Sequence, residues 1–434
     1  MGDKYLRAID HLLAIDKEEN IWLAFHAVGN LFGQQWLMEN YGHRLQLLWQ
    51  RKDYLASSEL YSLGKSINRL IQKNATWLES TAKEIKKNKD TSHGLITEII
   101  LIGSLNNDSG VVTPCNKSNP VYDYSVNYDT GFSYKVSIKN FDISVHEKAF
   151  NDKCEIIYKT FKNFLEFYKI SGTLVIECLA QNLTKEILLD VCCFIAYKIK
   201  DHGHYNLGGG CFIIYNKLFG YEASRLMFKS GTLLVVSKQH KNEQRNIESK
   251  ISAANASLLK DQRDKNSIKK LIIRIGETTD SERVKAYLQT IADDYNNCGF
   301  DMCFVFQPTV VNNQDGTSVI ATQLIPITRS FFPLDEGLIE KLDNIGIGKI
   351  ELGIGVLTTE KISRNLEQGG FGGKELPSCY TYQKGDIFIS MKQDENGYSG
   401  TLSQPAQGIK VHAVMGNLVI KPNVFPDNSR LLIV

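Results

Sequence analysis

Residues 120–144, PVYDYSVNYDTGFSYKVSIKNFDIS, alternate apolar and polar side chains on both sides of Asp129-Thr130-Gly131. Alternation with period two marks a strand that buries one face. A three-residue loop ending in glycine is a standard hairpin connection, because glycine takes the left-handed conformation there. Such a loop pairs residues whose numbers sum to 260. In that register Tyr122, Tyr124, Val126, Tyr128, Phe132, Tyr134, Val136 and Ile138 share one face, and a slip of one residue would scatter them. The other face holds Asp123, Ser125, Asn127, Ser133, Lys135, Ser137 and Lys139, with Asp123 opposite Ser137 and Lys139 two residues further on.

Around this hairpin the chain divides into three regions. At about 150 residues per domain, 434 residues make two or three globular units. Residues 1–90 predict a helical domain: Tyr5, Ile9, Leu12 and Leu13, and later Ile67, Leu70 and Ile71, fall at helical spacing, and no proline interrupts them. Trp22, Trp36, Trp49 and Trp77 all lie here, where core packing explains them better than a base-stacking platform. Residues 91–326 alternate short apolar runs with helical ones, which predicts an α/β layer structure. Strands are expected at VYDYSVNY, FSYKVSIKNF, TLVIECLA, CFIIYN, TLLVVSK, KLIIRI, DMCFVFQP and VIATQLIPI, and helices over 148–169, 183–200, 242–260 and 280–296. Residues 327–434 predict a small β-rich domain or a β extension of the core, built of short strands, among them KIELGIGVL, DIFISMK and KVHAVMG.

Fifty Lys and Arg against 48 Asp and Glu leave a net charge of +2, so a polyanionic partner would have to be met by a local patch. The longest apolar runs are broken by Asp190 and Glu98, well short of the ~18 uncharged residues of a spanning helix. The charged N-terminal segment has neither signal-peptide nor myristoylation character. Nine cysteines, several within apolar stretches and none in a CxxC pair, predict a reducing, cytoplasmic setting and argue against a zinc ribbon.

One upstream residue bears on the hairpin. Glu98 lies in GLITEIILIG, where Leu95, Ile96, Ile99, Ile100 and Ile102 make the helix apolar nearly all round. A carboxylate in such a place needs a cation, since an unpaired buried charge costs several kcal/mol. The order helix with Glu98, strand with Asp123, strand ending in Lys139, helix 148–169 and strand 173–180 resembles the αβββαβ core of the PD-(D/E)XK nuclease superfamily, the restriction-endonuclease-like fold. The resemblance covers roughly residues 94–180. It implies a mixed sheet flanked by helices, here with an N-terminal helical domain and a C-terminal β-rich region attached. It also implies Glu98 and Asp123 as ligands of Mg²⁺, with Mn²⁺ as a substitute, and Lys139 as the motif lysine that orients or activates water. Ser137 stands where the superfamily has its second strand carboxylate, and Tyr122 where it has proline. The implied activity is that of an endonuclease hydrolysing phosphodiester bonds, on DNA, in restriction or antiphage defence, with proteins of a defence system as further partners. Ser137 instead favours a nuclease-like fold without catalysis, serving as a nucleic-acid-binding or protein-interaction module.

Other features have plainer readings. A hairpin with one face on a core also shows this alternation when its polar face is merely solvated. The run Lys238–Arg274 holds ten Lys or Arg against four Asp or Glu, either a phosphate-contacting face or an ordinary solvated helix. His202 and His204 form an HxH without a placed third ligand, read as a polar loop. GGFGGK at 369–374 is one residue short of a P-loop, and His146 in HEKAFND is a possible neighbour of the active site. No GxSxG nucleophile elbow occurs.

Overall fold

The computed structural model describes residues 7–39, 41–89, 92–105, 110–115, 121–128, 131–199, 202–217, 231–261, 266–312, 318–330, 355–358, 379–393, 411–412 and 419–420. GGFGGK lies outside them. The chain opens with α1 (Asp10–Leu13), α2 (Glu18–Phe32), α3 (Gln34–Met38), α4 (Arg44–Gln50), α5 (Tyr54–Lys87) and α6 (Ser92–Leu105). Asp53 caps α5 by accepting from the Ala56 amide at 3.1 Å, which satisfies one of the donors a helix start leaves open. Helices α5 and α6 approach so closely that a Cβ on Gly103 would lie 2.4 Å from the Ser66 Cβ. Only glycine allows that contact.

The hairpin follows as β2 (Tyr124–Tyr128) and β3 (Ser133–Phe141), preceded by β1 (Gly110–Pro114). Its register is the expected one: Tyr124 pairs with Val136, Ser125 with Lys135 and Val126 with Tyr134, each pair summing to 260. Gly131 has φ of 77°, the left-handed turn position. From β3 the chain passes into α7 (Val145–Tyr168), β4 (Gly172–Cys178), α8 (Lys185–Tyr197), β5 (Gly203–Gly208), β6 (Cys211–Lys217) and β7 (Gly231–Lys238). It returns through α9 (Glu243–Lys260) to β8 (Ser267–Ile275), α10 (Ser281–Asp293), β9 (Met302–Asn312) and β10 (Ser318–Thr328). The later described strands are β11 (Gly355–Thr358), β12 (Cys379–Lys384), β13 (Ile387–Gln393), β14 (Val411–His412) and β15 (Val419–Ile420).

The result is an α/β architecture with two mixed sheets flanked by helices. The first has strand order β1-β2-β3-β8-β9-β10-β11 and the second β12-β13-β7-β4-β6-β5, while β14 and β15 pair with each other. In the first sheet β3, β8 and β9 run parallel, and the β1–β2–β3 pairs and β9–β10 are antiparallel. Each of its central strands buries both faces, as parallel strands covered by helices must. Tyr134, Val136, Ile138, Ile268 and Ile272 join Ile21, Leu60, Ile67, Ile96 and Ile99 of α2, α5 and α6 in one core. Phe141, Leu271, Ile273 and Ile275 point the other way, onto Ile251, Ala254 and Leu258 of α9 and Val284 and Leu288 of α10. The four tryptophans pack against the first core, as their spacing predicts.

Two expectations need correction. The strand after the helix beginning near 148 does not join the sheet of the hairpin; β4 lies in the second sheet between β6 and β7. The strand parallel to β3 is β8, with Ser137 opposite Leu271 and Lys139 opposite Ile273. HGHYNLG is not a loop but largely the edge strand β5, whose residues alternate between half-buried and exposed. In the 327–434 region β11 extends the first sheet and β12–β13 extend the second, so these strands are parts of the α/β core.

Candidate active site

At the start of β2 the ladder departs from strict alternation. Tyr124 pairs with Val136, yet the Asp123 amide also donates to the Val136 carbonyl at 2.8 Å, so two residues face one. That arrangement is a bulge, which re-aims the residue it carries. Tyr122 is thereby turned to the opposite side, against the α9 and α10 core, and does not share the face of Tyr124 as period two predicts. Asp123 is left pointing across to β3. Its Oδ2 accepts from the Ile138 amide and, at 3.1 Å, from the Ser137 hydroxyl, and lies 3.7 Å from Lys139 Nζ.

The structure thus brings Asp123, Ser137 and Lys139 together. Ser137 is only 3% exposed, so this part of the polar face is not the solvated surface of a plain hairpin. Lys135 is likewise engaged, its Nζ 2.7 Å from Asp261 Oδ2 at the end of α9.

Glu98 reaches the same region from α6. Burial pushes its carboxyl up to about 7, the negative charge of Asp123 adds to the rise, and Lys139 opposes it. Glu98, Asp123 and Lys139 are therefore in electrostatic range of one another, with the ion pair of Lys139 made to Asp123. Tyr124 is a member the sequence did not disclose: it is fully buried, and its hydroxyl has no partner among the described residues. Burial and then the charge of Asp123, with smaller contributions from Tyr128 and Glu98, raise its pKa, so it remains a hydrogen-bond donor. Alternation marks Tyr124 only as a packing residue; nothing in the pattern signals an orphan hydroxyl.

Two carboxylates, one of them with its pKa raised chiefly by burial and then by the charge of the other, are the kind of oxygen donors a hard divalent cation takes. Among the described residues no group of three or more His, Cys, Asp or Glu side chains that could hold a metal ion is found.

Beyond Lys139 the strand carries further polar contacts. Asn140 Oδ1 accepts from Arg274 at 3.2 Å. Asp142 Oδ2 lies 3.4 Å from the Arg44 guanidinium and 3.3 Å from His93 Nδ1. Burial holds His93 down to about 3, with Arg274 contributing, so its ring is neutral.

The remaining candidates are dispersed. Three cations of the 238–274 run are interior: Lys269 Nζ donates to the Leu258 carbonyl at 2.8 Å, Lys270 Nζ lies 3.5 Å from the Tyr134 ring centre, and Arg274 is buried beside Asn140. They offer no phosphate-contacting face. His146 stacks on His240 with ring centres 4.0 Å apart, at the starts of α7 and α9. Comparison with known protein families, with curated proteins and with solved structures finds no match to the chain.

Proposed function

We propose that the protein is a Mg²⁺-dependent endonuclease of the PD-(D/E)XK kind, hydrolysing phosphodiester bonds of DNA in restriction or antiphage defence. The observation that carries this reading is the Asp123 carboxylate, pinned to β3 by Ile138 and Ser137, with Lys139 beside it and Glu98 facing it. Chain order supports it as well. With the second sheet taken as an excursion between β3 and α9, the sequence α6, β1, β2, β3, α9, β8 gives an αβββαβ unit whose last strand is parallel to β3.

Glu98 and Asp123 would hold the cation, which when bound supplies a water of lowered pKa and offsets charge on the scissile phosphate. The chain's own residues do the positioning. The Ile138 amide and Ser137 hydroxyl fix the Asp123 carboxylate, and Lys139 presents a cation to the attacking water or the phosphate. The Tyr124 hydroxyl, buried and without a partner among the described residues, would be available as a further donor. Purified variants of matched thermal stability test this on plasmid, linear and single-stranded DNA with Mg²⁺ or Mn²⁺. Asp123→Ala and Lys139→Ala should abolish cleavage, whereas Ser137→Ala should retain part of it, since a neutral hydrogen bond contributes roughly 1 kcal/mol. Cleavage indifferent to Asp123→Ala or Lys139→Ala would place the chemistry elsewhere.

Ser137 favours a second reading, a nuclease-like fold that binds nucleic acid or protein without cutting. Wild type and Ser137→Glu both silent on every substrate would favour it.

A further inference from the structure

A net charge of +2 leaves any grip on a polyanion to a local patch, and the 238–274 run that could have formed one is partly interior. Positive charge gathers elsewhere, where the ends of α5 and β3 meet α4. Helix α4 opens with Arg44 and has no acid in its first turn. The end of α5 and the residues after it, Lys83 to Lys89, carry four lysines and one acid, Glu84. Lys86 Nζ lies 5.5 Å over the Trp36 ring. Lys89 reaches back over the turn before α4: a Cβ built on Gly42 would lie 3.2 Å from its ammonium.

These cations act on common neighbours. Burial lowers the His43 pKa against the hydrogen bond to the Ile85 carbonyl, and Arg44 and Lys89 add to the lowering. Arg44 shares its acid, Asp142, with His93. On these segments five cations therefore face two acids, Glu84 and Asp142.

The position of this rim relative to the candidate active site follows from strand geometry. Asp142, which holds Arg44, is three residues beyond Lys139 along the chain leaving β3. At a rise of about 3.3 Å per residue their backbones are about 10 Å apart. One nucleic-acid strand carries a phosphate about every 3.4 Å along the helix axis, so the separation spans roughly three nucleotides.

We propose that Arg44, Lys86 and Lys89 form a rim that grips the backbone phosphates of a DNA strand whose scissile bond lies at Asp123 and Lys139, an assignment that rests on the nuclease reading. The contact is to phosphate, so it adds affinity without selecting sequence.

Binding of a short fluorescein-labelled DNA duplex to the full chain, measured by anisotropy in EDTA over a salt series, tests the proposal. Lys89→Glu should weaken binding roughly tenfold at low salt, and Lys89→Ala should reduce the slope of log affinity against log salt by about one. Lys185→Glu, an exposed lysine on α8, serves as the control and should leave both unchanged. If wild type binds and Lys89→Glu binds as Lys185→Glu does, the rim is not the contact and the nuclease reading survives. If wild type binds no DNA at any salt, the nuclease reading fails and the rim proposal falls with it.

Discussion

Glu98 sits on the side of α6 where a carboxylate is hardest to keep charged. Its pKa is raised from the usual carboxylate range to about 7 by burial and by Asp123. A group raised in this way favours the fold below its unfolded pKa, and that contribution is lost as pH rises through about 7. Above that point Glu98 carries its charge beside that of Asp123, and the cation of the proposed function would relieve the pair. Cation binding requires both to be ionised, so affinity should fall about tenfold per pH unit below 7. Calorimetric titration of Mg²⁺ at pH 6 and pH 8 checks this, and Glu98→Gln should lose most of the affinity together with its pH dependence. Equal affinity at both pH values would remove Glu98 from the ligand set. The meeting of Asp123, Ser137 and Lys139 was legible in the sequence because hairpin register follows from loop length and alternation. The bulge at Asp123 was not, since a period-two pattern carries no mark of one extra residue. Tyr122 is accordingly on the other side of the sheet.

At the scale of elements, the least legible step was which sheet a strand enters. TLVIE of β4 and KLIIR of β8 are both short apolar runs of the kind that parallel strands buried on both faces share, and nothing local separates them. What holds the two sheets together is equally non-local. Gln383 of β12 donates at 3.0 Å to Glu147 of α7 and at 3.0 Å to Glu243 of α9, while Ser144 donates to Glu243 at 2.7 Å. Glu147 is 1% exposed. Burial pushes it up to about 7 against the hydrogen bond from Gln383, and Glu243 and Asp142 add to the rise. Its contribution to stability is present below about pH 4.5 and is lost as pH rises through about 7, on the order of 3 kcal/mol in all. Glu147→Gln keeps an acceptor for Gln383 but removes the charge. The variant should therefore be more stable than wild type at pH 8, with the gain shrinking toward zero below pH 5. Thermal unfolding across that range decides it, and a difference that does not vary with pH would mean that Glu147 is not the titrating group.

For the whole molecule, residues 327–434 read in the sequence as a small β-rich domain or a β extension of the core, since the turn-rich stretch after Pro326 hides which strands return to the core. The structure ties part of it into the second sheet. Strand β13 pairs with β7 along Ile387–Gln393, and Phe388, Ile389 and Met391 are each at most 2% exposed. Hydrogen bonds fasten the turn before it from both sides: Arg283 donates to the Gly385 carbonyl at 2.6 Å, and the Gly385 amide donates to Asp280 at 2.7 Å. Full burial of a large apolar side chain contributes about 1.5–3 kcal/mol. Three of them represent roughly 5–9 kcal/mol, a large share of the ~5–15 kcal/mol that keeps a domain folded. A chain ending at Ser330 would also leave β7 with an open edge, the arrangement that recruits other strands. It should melt about ten degrees or more below the full chain or aggregate on purification, as read by calorimetry and light scattering. A monomeric truncation that melts with the full chain would show that β12 and β13 are dispensable after all. The first contribution of β12 and β13 is to complete the second sheet.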